Sequence, residues 1–99
     1  MFGEQAPASA LLDMAITRRD FARQLLGAFP AMQQRSPEEF SGEDAGCRWS
    51  IRLLPADPTR LGLIVLERWK AEISVQAPDL AQRRLWWQRF SAHFQKGGG

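Results

Sequence analysis

The chain has 99 residues, 13 basic and 11 acidic side chains, a formal net charge of +2 and 44% hydrophobic residues. That length suits one domain with one modest core, and the composition argues against global disorder and against a strongly cationic nucleic-acid module. One cysteine, one histidine and a longest apolar run of six residues exclude an intramolecular disulfide, a structural zinc site and a membrane-spanning helix.

Taken in chain order, residues 1–9 read as a flexible start, because Gly3, Pro7 and Ser9 interrupt any periodicity. They show no basic segment followed by a long apolar one, so no signal peptide is visible and a cytoplasmic setting is expected. Residues 10–16 are apolar and too few for periodicity to choose between a strand and a turn of helix. Thr17-Arg18-Arg19-Asp20 resembles a capping box. Phe21, Ala22, Leu25, Leu26 and Phe29 then recur on one helical arc. Pro30 forces the preceding residue out of helical geometry, which predicts a helix over 18–29. Residues 30–46 read as a long acidic connection, with a helical turn over Ser36–Phe40 and solvated acids at Glu38, Glu39, Glu43 and Asp44.

Three strands are expected next. In Cys47–Leu54, Trp49, Ile51 and Leu53 alternate with Arg48, Ser50 and Arg52, the pattern of a half-buried strand. Ala56-Asp57-Pro58-Thr59 reads as a turn. Arg60–Leu66 is apolar on both faces, and Lys70–Gln76 alternates again. A tight join at Glu67-Arg68 sets Leu66 opposite Trp69, Ile64 opposite Ala71 and Gly62 opposite Ile73. A last helix starts at Asp79, with Leu80, Trp86, Trp87, Phe90 and Phe94 on its core face, and Gly97 stops it. Gly97-Gly98-Gly99 is a flexible tail. The expected architecture is a single α+β domain over 1–99, of two layers in the order α-β-β-β-α. Its antiparallel three-stranded sheet carries two helices on one face, with residues 10–16 as a possible fourth strand.

The middle strand carries the functional reading. Near-continuous apolar strands belong where both faces are buried, and the two helices cover one. The other face, presented by Leu61, Leu63 and Val65, is therefore expected to meet residues 10–16 or 30–46, a second copy of the chain, or a protein partner. A homodimer through this sheet face or an edge strand is the functional expectation.

The arginines offer an alternative. Arg83, Arg84 and Arg89 lie on the last helix, and Trp86 at its margin could stack on a guanidinium or a base. The element order, with Ala77-Pro78-Asp79-Leu80-Ala81-Gln82-Arg83-Arg84 at the start of the second helix, resembles the double-stranded-RNA-binding domain. That resemblance implies phosphate contacts from this position, although proline and aspartate stand where the family has lysines. A second alternative comes from Gly97-Gly98-Gly99, which resembles the free tail of ubiquitin-like and sulphur-carrier proteins and implies an activatable C-terminus at Gly99. The tail here follows a helix, whereas in that family it follows a strand.

Cys47 beside Arg48 is a candidate for a lowered thiol pKa. No catalytic set, phosphate loop, metal site or cofactor motif is read, so a non-enzymatic role is expected.

Overall fold

The computed structural model describes residues 5–44 and 46–94. It is an α+β domain in the order β1 (Ser9–Ala15), α1 (Arg18–Ala28), β2 (Gln33–Ser36), β3 (Glu39–Asp44), β4 (Cys47–Leu61), β5 (Ile64–Gln76) and α2 (Leu80–Phe94). The five strands form one antiparallel sheet in the order β1-β5-β4-β3-β2. The three-stranded expectation understates this sheet: its three strands are two here, because Arg60–Leu66 is divided between β4 and β5. Residues 9–15, the possible fourth strand, supply one edge, and the expected acidic connection, with its helical turn at Ser36–Phe40, is instead the β2–β3 hairpin on the other side.

Alternation sets the two faces of the sheet. Cys47, Trp49, Ile51 and Leu53 of β4 and Ala71, Ile73 and Val75 of β5 are buried, while Arg48, Ser50, Arg52, Glu72 and Ser74 between them are exposed. The helices cover the apolar face. The opposite face is polar, and Arg52 and Glu72 approach to 3.9 Å across it. It needs no second covering layer.

Helix α1 begins as expected: the Thr17 hydroxyl accepts from the Asp20 amide at 3.1 Å. The Asp20 carboxylate turns to Arg23 at 3.2 Å instead of completing a reciprocal box. Phe21, Leu25 and Ala28 are buried, whereas Leu26, placed on the core arc by spacing, is exposed. Helix α2 is capped by Asp79, whose carboxylate accepts from the Gln82 amide at 2.8 Å. Trp86, Trp87, Phe90 and Phe94 are buried, and Leu80 is exposed. The predicted stop at Gly97 lies outside the described residues.

Between helices and sheet the core is an aromatic stack. Phe29 and Phe90 lie nearly parallel to Trp86 with ring centroids 5.1 and 5.5 Å away, and Phe90 continues onto Phe94 at 4.4 Å. Phe21 joins Phe94 to Phe40 of β3. Gly42 of β3 sits over Trp49, where a Cβ would come within 2.9 Å of the indole. The chain before β1 crosses the same layer: the Trp87 indole donates to the Pro7 carbonyl at 2.9 Å, and the Arg83 guanidinium donates to the Ala6 carbonyl at 2.5 Å.

Among the described residues no helix is long and apolar enough to cross a membrane, and no group of three or more His, Cys, Asp or Glu side chains converges to hold a metal ion.

Candidate interaction arm

Strands β4 and β5 outrun their neighbours. β3 pairs with β4 only as far as Arg52, and β1 pairs with β5 only over Arg68–Ser74. Beyond Arg68 the two strands continue as a lone antiparallel ribbon, paired through Thr59↔Leu66, Arg60↔Val65 and Leu61↔Ile64. The predicted turn at Ala56–Thr59 is instead an irregularity within β4, where Asp57-Pro58 adds one residue to the strand. Proline is tolerated there because a bulge leaves its missing N–H without a ladder partner, and the bulge sharpens the twist of the ribbon. Pro55 sits where β3 has ended, so its lack of a donor costs no ladder bond either.

The true reversal is at Gly62-Leu63. Gly62 adopts φ +62°, and Leu63 has no positive φ. Glycine at the first of two loop positions is the type II′ arrangement, whose twist matches the flanking strands. Glu67-Arg68 is ordinary strand. The expected pairs consequently fail: Leu66 faces Thr59, Ala71 faces Leu53, and Ile73 faces Ile51 and Ala10.

This correction moves the three predicted interface residues. Leu61, Leu63 and Val65 do not line a sheet face above the helices; they sit at the end of the ribbon. Cross-strand partners share a face, so Leu61 lies with Ile64, and Val65 lies with Arg60 on the other side. Leu61 is 58% exposed, Ile64 59%, Val65 54% and Leu66 40%, and Leu63 is fully exposed. Among the described residues, β1 pairs no further along β5 than Arg68 and β3 no further along β4 than Arg52.

The root of the ribbon is braced. Glu67 accepts from the Trp69 indole at 2.6 Å and from the Arg18 backbone N–H, the first amide of α1, at 3.0 Å. The indole bond first, and the Arg18 amide second, hold its carboxyl below the usual range. The Arg18 guanidinium lies 5.4 Å from the Trp69 ring centroid and reaches Glu38 at 3.0 Å. On the other side Arg68 donates to Asp13 at 2.7 Å and to Thr59 at 3.2 Å. The arm is thus tied to β1 and to the start of α1 by polar groups of β5, with Thr59 of β4 bonded to one of them.

The residues of the alternative readings do not form one surface. Arg83 is turned to the Ala6 carbonyl. Arg89 pairs with Asp44 and stacks 5.6 Å from the Phe29 ring centroid. Arg84 is exposed. Trp86, expected at the margin, is 2% exposed, with Phe29 and Phe90 stacked on it. Among the described residues, its indole N–H and that of Trp49 have no hydrogen-bond partner. Gly97, Gly98 and Gly99 lie outside the described residues.

Cys47 is buried, and its Sγ contacts the Gln82 carbonyl at 3.5 Å. Burial first, and then the charges of Asp44 and Asp79, push its thiol pKa up, against the pull of Arg83. The expected lowering by Arg48 does not occur, because adjacent strand residues point to opposite faces.

No family model, curated protein or solved structure matches this chain. The functional reading therefore rests on the arm and its surroundings.

Proposed function

We propose that this chain is a protein–protein interaction domain that self-associates, with the β4–β5 ribbon as its contacting element. The carrying observation is the exposure of Leu61, Leu63, Ile64, Val65 and Leu66 together at one end of the molecule. Contiguous apolar surface of this kind marks interaction sites. A lone two-stranded ribbon is marginal in water, so a partner that covers the tip also stabilises the arm itself. The reading includes a non-enzymatic role and a cytoplasmic setting, where a single thiol such as Cys47 stays reduced. No observation favours nucleic-acid binding over it, since Arg83 and Arg89 are engaged within the chain.

Light scattering over a concentration series tests the proposal. The native chain is expected to double from its 11.2 kDa mass, while Leu63→Glu stays monomeric with an unchanged circular-dichroism spectrum. A native chain that remains monomeric at the highest attainable concentration overturns it.

A further inference from the structure

The arm carries its own complement at its base. Where the ribbon leaves the body, an open cleft runs between the end of β1, the start of α1 and the end of α2. Met14, Ile16 and Phe94 contribute apolar lining, Asp13, Asp20 and Glu67 are acidic, and no basic residue lines it. Asp13 is paired with Arg68 and Asp20 with Arg23. Glu67 forms no salt bridge among the described residues, and its two donors, an indole and a backbone amide, are uncharged. At the other end of the arm, Arg60 has no ion pair among the described residues.

These two charges stand on the same side of the ribbon. Arg60 pairs with Val65, and Glu67 follows Val65 by two residues, the period that returns a strand side chain to one face. The arm thus presents a cation near its tip, an aliphatic residue, and an anion at its root. Such a surface is self-complementary under a two-fold rotation, the commonest symmetry of homo-oligomers. With the axis at Leu66, Val65 of one copy meets Glu67 of the other, and Leu63 meets Trp69 and the cleft mouth. Arg60 then lies within a long side chain's reach of the opposing Glu67.

We propose that two copies clasp reciprocally, arm against arm in opposite directions, each tip seated in the cleft at the base of the other's arm. This rests on the self-association reading above and adds where the tip docks. A two-fold contact buries both tips and both clefts at once. That matters because stable interfaces cover roughly 800 Å² on each partner, more than a short hairpin tip supplies alone.

The test mixes two variants, each with one added cysteine, Leu63→Cys and Gln24→Cys, the latter on the α1 side of the cleft. One carries a mass tag, and a short bismaleimide links thiols that lie close; buried Cys47 does not compete. The clasp predicts a linked heterodimer from the mixture and no linked dimer from Leu63→Cys alone. It also predicts that Arg60→Glu weakens dimerisation by about tenfold or more, since like charges then meet across the interface. A dimer whose Leu63→Cys chains link to each other, or in which Leu63 and Gln24 do not link, overturns the clasp and leaves self-association standing. A native chain that is monomeric by light scattering overturns both.

Discussion

The body of the molecule and its arm are built from similar residues to opposite ends. In the body, Trp49, Ile51, Ile73 and Trp86 are sealed beneath two helices, and rings stack on rings. In the arm, Leu61, Ile64 and Val65 continue the strands that carry Trp49, Ile51 and Ile73, Leu63 lies in the turn that joins them, and all four are exposed. The change comes in two steps along the sheet: β3 ends opposite Arg52, which faces Glu72, and β1 ends four residues further out, opposite Arg68. Hydrophobicity expresses the tendency of a side chain to leave water; whether a given residue does so within its own chain depends on how far the neighbouring elements extend. The contrast predicts that the body carries the stability and the arm carries the contact.

The largest effect is expected from Trp86→Ala. It removes the ring between Phe29 and Phe90 and should cost about 3–5 kcal/mol, partly offset because the unpaired indole N–H goes with it. A fall in the urea midpoint, or failure to fold, reads this; a loss below about 1 kcal/mol would contradict the central place given to the stack. Next is Gly42→Val, whose Cβ meets Trp49 at 2.9 Å. Overpacking of this kind costs about 1–3 kcal/mol, visible as a lower melting temperature, and an unchanged melting temperature would show that the indole has room to shift.

Glu67→Gln sharpens the comparison at the joint between the two regions. The native carboxyl is lowered from its ordinary value of 4.5, so its contribution is fully present above that value and is lost as the pH falls through the lowered one. The native chain should therefore lose relative stability on acidification through this range, while the glutamine variant shows no such component. Parallel acid titrations of the two proteins would remove the brace. The smallest stability effect is expected from Leu63→Ser, within about 0.5 kcal/mol for the monomer at low concentration. A drop of several times that size would show that the tip stabilises the fold within one chain.

Much of the body was legible in the residues. Strict alternation in Cys47–Leu54 and Lys70–Gln76 reports one apolar neighbour layer, and the caps at Thr17 and Asp79 announce the two helices within a residue. The β2–β3 hairpin was not legible. Gln33–Ser36, an edge strand, and Glu39–Asp44 beside it are polar strands in which Phe40 alone is buried, so neither run offers a period to detect. Gly42 gave a latent signal, as an isolated glycine under a tryptophan on the next strand, but that signal requires the register to be known.

The candidate site was legible in composition and misplaced in space. Leu61, Leu63 and Val65 were singled out as apolar residues on a sheet face, yet the Gly62 among them marks a reversal and not the middle of a strand. A Gly-X pair inside an aliphatic run can close a type II′ hairpin as readily as it can interrupt a strand. Only the pairing partners on each side distinguish the two. Trp86 failed for the converse reason: adjacent tryptophans on a helix diverge by about 100°, but Phe29 and β4 wrap far enough around α2 to bury both.

By itself, the sequence determined the two long helices, the inward-facing residues of Cys47–Leu54 and Lys70–Gln76, and the presence of an aliphatic run at Leu61–Leu66. Those properties follow from local backbone preference and side-chain period, which act over a few residues. The tertiary structure alone decided that this run lies on a projecting ribbon above an acid-edged cleft. That outcome depends on where distant strands stop and which charges remain unpaired, and both are settled by contacts between residues far apart in the chain.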